Sequence, residues 1–215
     1  MSLESDLRAG AAELGLVLDD GQVAQLLAYL GLIQKWTKVY NLTAVRDPAE
    51  MLSHHLLDSL AVIAPLRRQT NNQALRLLDV GSGAGLPGVV IAICCPDIRV
   101  DCVDTVAKKA AFIQQVAVSL KLANLRGLHN RVENLDQPYD VVSSRAFASL
   151  ADFVIWSAGA LAEQGVWVAM KGKLPEAEMA ALPSTASVFH VEQLQVPGLG
   201  AERHIIWLRK TGTLT

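Results

Sequence analysis

The feature that most constrains this chain is a glycine-dense turn, Gly81-Ser82-Gly83-Ala84-Gly85-Leu86-Pro87-Gly88, entered directly from the apolar run Leu77-Leu78-Asp79-Val80. A turn so poor in side chains lets backbone approach a ligand closely. It then feeds a helix N-terminus, where free N–H groups receive polar ligand atoms. A strand, a glycine turn and a helix in that order define the first unit of a parallel α/β sheet.

The surrounding texture extends that unit into a sheet. Short apolar runs at Leu75–Val80, Ile98–Val103, Leu125–His129, Tyr139–Ser143 and Gly165–Met170 alternate with helical stretches, one opening near Leu86 and another over Thr105–Leu120. The last forty residues lose the alternation. Val188–Val196 and His204–Arg209 are extended runs joined by Pro197-Gly198-Leu199-Gly200, which predicts an antiparallel hairpin closing the sheet. The expected fold is therefore a Rossmann-like α/β domain over residues 74–215, with a mostly parallel seven-stranded sheet and a C-terminal antiparallel hairpin.

Residues 1–73 read as a helical extension forming one compact unit with that domain. Leu26, Leu30, Ile33 and Tyr40 share one helical face, and Asp19 with Gln22 offers a capping box. A second start at Asp47, Pro48 and Glu50, followed by Leu52, Leu56, Leu60 and Ile63, predicts a helix over 48–64. The polar segment Arg67–Gln73 lacks periodicity and reads as the connection to the sheet.

Composition narrows the partners. With 51% hydrophobic and 19% charged residues in 215, the chain has material for one sizeable core. Its apolar stretches fall far short of the roughly 20 residues that span a bilayer. The acidic start, Met1–Asp6, lacks the pattern of a secretory signal, so a cytoplasmic location is expected. Cys94, Cys95 and Cys102 sit in apolar surroundings and read as buried free thiols. A net charge of −2 means that any nucleic-acid surface must be local.

The loop alone leaves two ligand classes open, because Gly83-Ala84-Gly85-Leu86-Pro87-Gly88 also satisfies the dinucleotide fingerprint GxGxxG. Asp79, two residues before the first glycine, suits a cation carrying a sulfonium and an amino group better than a pyrophosphate. Asp104 ends the next strand, where a carboxylate can accept both hydroxyls of a ribose in either class. After the fourth strand stands Ser144-Arg145-Ala146-Phe147, without the Asn/Asp-Pro-Pro-aromatic motif of amino-group methylation or the cysteine nucleophile of pyrimidine C5 chemistry.

Several blocks then match one family in the same order. Trp36-Thr37-Lys38-Val39-Tyr40-Asn41-Leu42-Thr43, His54-His55-Leu56-Leu57-Asp58-Ser59, the Asp79–Gly88 loop, Ser144-Arg145-Ala146-Phe147-Ala148-Ser149-Leu150, Lys171-Gly172-Lys173 and Glu202-Arg203-His204 carry the match over nearly the whole chain. In these the sequence closely resembles the bacterial small-subunit rRNA guanine-N7 methyltransferases, known as RsmG or glucose-inhibited division protein B. The resemblance implies a class I methyltransferase using S-adenosyl-L-methionine, with 16S rRNA or the small ribosomal subunit as partner. It also implies a cofactor site at Gly81 and Leu86, at Val132 and Glu133 near the adenine, and at Arg145; Asp79, Gly83 and Asp104 complete the set read from the loop. Guanine N7 offers a lone pair and loses no proton on methylation, so no general base is expected, and Arg145 is a candidate for positioning only.

Substrate contacts are expected from local cations: Lys35, Lys38 and Arg46 near the end of the N-terminal helical segment, and Lys171 and Arg203 near late strands. Phe147, beside Arg145, is the candidate base-stacking platform. His54 and His55 are adjacent on a helix, so one of them faces inward; no metal site is expected, and a monomer is. A nicotinamide-dependent oxidoreductase and a non-catalytic RNA-binding or cofactor-sensing protein are the competing readings. Only the embedded GxGxxG supports the former.

Overall fold

The computed structural model describes residues 2–40 and 42–212, with the side chains of Pro48 and Ala49 outside the description. Asn41, within the first family block, therefore lies outside the described residues. Helices α1 (Leu3–Glu13) and α2 (Asp20–Tyr40) open the chain. The capping box at α2 is formed: the Gln22 N–H donates to Asp19 Oδ1 at 2.8 Å, and the Asp19 N–H to Gln22 Oε1 at 3.1 Å.

The predicted helix over 48–64 is present but not uniform. It comprises α3 (Pro48–Met51), a π-helical segment Leu52–Leu57, α4 (Asp58–Leu60) and, after a turn, α5 (Ile63–Thr70). The Glu50 N–H donates to Asp47 Oδ1 at 3.0 Å, as the N-cap reading requires. The widened π segment buries Leu52, Ser53, His55, Leu56 and Leu57 together, a denser face than a regular α repeat provides. The connection is a correction: residues 67–70, read as linker, belong to α5, which ends on Asn71 in the left-handed conformation (φ 51°). Their polarity hid the helix because Arg67 and Thr70 are satisfied within the fold, Arg67 by the Cys94 carbonyl at 2.8 Å and Thr70 by the Leu66 carbonyl.

The sheet has seven strands: β1 (Leu75–Val80), β2 (Ile98–Asp104), β3 (Leu125–His129), β4 (Tyr139–Arg145), β5 (Leu161–Lys171), β6 (Ala186–Leu194) and β7 (Arg203–Lys210). Their spatial order is β3-β2-β1-β4-β5-β7-β6. The first five pair in parallel; β7 inserts antiparallel between β5 and β6. The C-terminal hairpin thus forms as expected, with its second strand inside the sheet and its first at the edge. β5 starts at Leu161, earlier than Gly165, and a register shift against β4 lies between Tyr139 and Val141. Crossovers are α6 (Gly88–Cys94), α7 (Ala107–Ser119) and α8 (Leu150–Ser157), and α9 (Glu176–Ala180) precedes β6.

Alternating side chains send the two faces of the sheet into two cores. One joins Leu77, Val100, Cys102 and Val141 to α6, α7 and the N-terminal helices, so the extension shares its core with the sheet. The other gathers Leu78, Val103, Val142, Trp167 and Ile206 beneath Phe153 and Val154 of α8. The three cysteines are buried and free, and burial raises their thiol pKa values, that of Cys94 to about 12. No helix among the described residues is long and apolar enough to cross a membrane.

Candidate cofactor and substrate site

Where β1 and β4 lie side by side, their following loops diverge and open a cavity at the carboxyl edge of the sheet, the place where open α/β sheets hold ligands. The cavity has a volume of about 510 Å³. In its lining Gly81 follows β1, Asp104 ends β2 with Thr105 after it, Val132 and Glu133 follow β3, and Phe147 follows β4. Five expected residues thus converge: Gly81, Asp104, Val132, Glu133 and Phe147.

Gly81 has φ +64°, and a Cβ built there would stand 2.4 Å from Cδ2 of Phe147. Only glycine adopts that backbone without cost and lets the Phe147 ring pack against it. Phe147 is fixed edge-on to Phe153 and Trp156, with ring centroids 6.3 and 5.8 Å away. It is aimed by Ala146, which holds φ +50°, a left-handed conformation costing a non-glycine residue roughly 1–2 kcal/mol.

Asp104 is buried at the end of β2, with Oδ2 receiving the Gly83 N–H at 3.1 Å and Oδ1 the Val106 N–H at 2.9 Å. Lys109 stands 3.6 Å from Oδ2. The carboxylate therefore joins the glycine loop to the start of α7 and still faces the cavity with unused lone pairs.

Other expected residues stand outside the cavity lining. Asp79 is fully buried, accepting the Ser143 hydroxyl at 2.9 Å and the Gly88 N–H at 3.0 Å. Burial raises its pKa to about 6 against the lowering pull of those two bonds. It anchors the loop from beneath and is not in the cavity lining. The Gly88 N–H, at the start of α6, is thus already occupied by a carboxylate, an arrangement unsuited to a pyrophosphate and contrary to the nicotinamide reading. Gly83 and Leu86 also lie outside the lining, Gly83 engaged by Asp104 and Leu86 packed in the first core.

Arg145 ends β4 but turns toward the N-terminal extension. Its Nη1 donates to Asp58 Oδ2 at 2.7 Å and to the His54 carbonyl at 3.0 Å, while Arg203 Nε donates to Asp58 Oδ1 at 2.8 Å. Asp58, 3% exposed, thus holds two arginines and pins the extension to β4 and β7. His55, one turn earlier, is buried with Nε2 2.9 Å from Thr43 Oγ1 and Nδ1 unpartnered. Its pKa is lowered to about 4, by burial first and Arg145 second. His54 is the partner that faces outward, hydrogen-bonded through Nδ1 to the Glu50 carbonyl.

Of the cations expected to meet substrate, Lys171 donates to the Ala148 carbonyl at 2.9 Å and pairs with Glu178 at 2.8 Å. Lys171 and Arg203 are therefore committed to internal partners. Lys35 and Lys38 are exposed on the last turns of α2, and Arg46 is exposed on the loop beyond it. Sequence reasoning missed Trp156 and Lys109 in the lining. Trp156 stands in the apolar run Phe153-Val154-Ile155-Trp156, which reads as core, yet its ring is 40% exposed. No group of three metal-ligating side chains is found among the described residues.

A 3-2-1-4-5-7-6 sheet with a cavity over its first glycine turn defines a class I methyltransferase fold. The magnesium protoporphyrin IX methyltransferase of Synechocystis PCC 6803, solved with bound S-adenosylmethionine, superposes with a TM-score of 0.60 over 90% of this chain and 98% of that one at 16% identity. The sequence narrows the class further. Residues 22–206 match the rRNA small subunit methyltransferase G family, GidB, and the chain belongs to it. It is 68% identical to the ribosomal RNA small subunit methyltransferase G of Albidiferax ferrireducens, covering 97% of this chain and 98% of that protein. Identity to the protein of the same name from Polaromonas sp. is also 68%, over 96% and 93%.

Proposed function

We propose that this chain transfers the methyl group of S-adenosylmethionine to N7 of a guanine in the 16S rRNA of the small ribosomal subunit. The observation that carries this reading is the convergence of Gly81, Asp104, Val132, Glu133 and Phe147 on one cavity in a chain of the methyltransferase G family. The residues fit the cofactor: a left-handed Gly81 backbone in the cavity lining, a buried carboxylate for a ribose, and a backbone N–H with a carboxylate for an adenine edge. When bound, S-adenosylmethionine supplies an electrophilic methyl group on a sulfonium.

Asp104 would hold the ribose hydroxyls, Val132 and Glu133 would read the adenine, and the Gly81 backbone would border the cofactor chain. Asp79 shapes the loop without touching the ligand, and Arg145 orients the β4 loop through Asp58. Phe147 provides an apolar face at the mouth on which the acceptor base stacks. Guanine N7 carries its own lone pair and needs no proton removed, so holding the acceptor in line with the bound cofactor would be the chain's principal contribution. Lys35, Lys38 and Arg46 hold RNA phosphates on the flank of the extension, and the protein acts as a monomer in the cytoplasm.

The test is to incubate purified protein and S-adenosylmethionine with small subunits from cells lacking the endogenous enzyme, then map methylated nucleotides. A single N7-methylguanine, detected by chain cleavage specific to that base, is expected. Methylation confined to an exocyclic amine, or none, would overturn the proposal.

A further inference from the structure

At the opposite, amino-terminal end of the sheet, three neighbouring strands each place an arginine on the same face. Arg76 of β1 pairs in register with Arg99 of β2, and Arg126 of β3 pairs with Asp101 of β2, two residues beyond Arg99. Residues paired across parallel strands point to one side, as do residues two apart, so the three guanidinium groups share a face. They line a cavity of about 500 Å³ with Asp101 and Gln137.

Two of the arginines are held before any ligand arrives. Asp101, buried, accepts Arg126 Nε at 2.7 Å and Nη2 at 2.6 Å, and its Oδ2 also accepts the Tyr139 hydroxyl at 2.7 Å. Arg76 donates through Nη2 to Gln137 Oε1 at 2.7 Å and lies over the Tyr139 ring, 4.8 Å from its centroid. Tyr139 therefore links the two, its ring under one guanidinium and its hydroxyl on the carboxylate that fixes the other. The Asp140 carboxylate on β4 accepts the Arg76 backbone N–H at 2.8 Å. Arg99 is exposed, and no side-chain hydrogen bond or ion pair is found for it among the described residues.

The lining thus carries three cations against one carboxylate in a chain whose overall charge is −2. Arg126 spends two of its five N–H donors on Asp101, leaving donors on all three forks. Planar guanidinium forks in fixed positions match the tetrahedral oxygens of a phosphate. The Tyr139 ring is covered by Arg76, so the site offers no free aromatic face for a base and reads a phosphate without regard to sequence.

We propose that this cavity is a second anion site, remote from the methyl-transfer cavity, that binds a phosphate group. The polynucleotide backbone of the substrate is the source expected from the function proposed above, on which that part of the assignment rests; a free phosphate or nucleotide phosphate is the other source of the same chemistry.

The test uses the full chain and Arg99→Glu, with Arg99→Lys as the charge-conserving control; Arg99 is exposed and lies outside both cores, so both variants keep the fold. In the first arm, inorganic phosphate is titrated while thermal stability is followed. The wild type and Arg99→Lys should be stabilised and Arg99→Glu should not. In the second arm, methylation of small subunits is measured across salt concentrations. Arg99→Glu should raise KM about five- to tenfold and flatten its salt dependence, with kcat and cofactor affinity unchanged. A phosphate response without a KM change assigns the site to a free phosphate ligand. Absence of both effects overturns the site. If wild-type protein methylates no rRNA, the functional reading fails while the first arm still decides the site.

Discussion

Two clusters flank the carboxyl end of β4, and they use their charges in opposite ways. In the cofactor cavity, Asp104 is tied to two backbone N–H groups and keeps capacity toward open space. In the seam with the N-terminal extension, Asp58, Arg145 and Arg203 saturate one another beneath the surface. Residues one step apart along the chain, Arg145 and Ala146, fall on opposite sides of this boundary. A position at the ligand-binding edge therefore does not by itself turn a side chain into the cavity: Arg145 is spent on Asp58, whereas Asp104 keeps hydrogen-bonding capacity directed at it.

The sharpest break of this comparison is Asp58→Ala. It leaves Arg145 and Arg203 without their carboxylate, their side chains only 20% and 23% exposed. Removing one partner of a buried ionic cluster costs about 3–5 kcal/mol. Urea denaturation should show that loss. Wild-type stability in Asp58→Ala would mean that apolar packing alone holds the extension, and that the triad is incidental to it.

Asp104→Ala should divide the two regions from the other side. Its effect belongs mainly to ligand affinity, about 2–4 kcal/mol from roughly 1.5–3 per charge-assisted bond with allowance for non-additivity. Calorimetry with S-adenosylmethionine on the folded variant measures it, and the same titration on folded Asp58→Ala should show a smaller change. If Asp58→Ala weakens the cofactor as much as Asp104→Ala does, the seam reaches into the cavity through Ala146 and Phe147, and the division fails.

How far the sequence revealed this arrangement follows from what local patterns encode. The strand-turn-helix at Leu77–Gly88, the acid at the next strand end and the terminal hairpin are dictated by nearest neighbours, and they were legible. Spacing placed Asp104 at the end of its strand, while Val132 and Glu133 came from the family resemblance and follow β3 to the same edge. What it could not reveal is direction. Arg145 bonds to Asp58, 87 residues away, and Arg203 to the same carboxylate across 145. The polar residues 67–70 disguised the end of α5 because the partners of Arg67 and Arg68, the Cys94 carbonyl and Glu192, come from elsewhere in the fold. Trp156 was hidden by the reverse effect, an apolar neighbourhood that reads as interior although the ring reaches the cavity.

The smallest expected effect compares the two regions through pH. His55, at the seam, has a pKa lowered to about 4, so its folded form resists a proton that the unfolded chain accepts below about 6.5. Its contribution is present above that pH and is lost as pH falls toward 4. Asp79, under the glycine loop, has the opposite sign. Its pKa is raised to about 6 from 3.8, so the folded state holds a proton that the unfolded chain releases, and stability is lost as pH rises from about 4 through 6. The two windows overlap, and in the wild type the slopes oppose each other between pH 4 and 6. Single variants should uncover them: Asp79→Asn should lose about 1–2 kcal/mol more than wild type on going from pH 7 to pH 5, and His55→Gln should lose less by a similar amount. Urea midpoints at the two pH values give both differences. Parallel pH profiles for all three proteins would show that neither group titrates differently in the folded chain, and the electrostatic contrast between seam and loop would then be void.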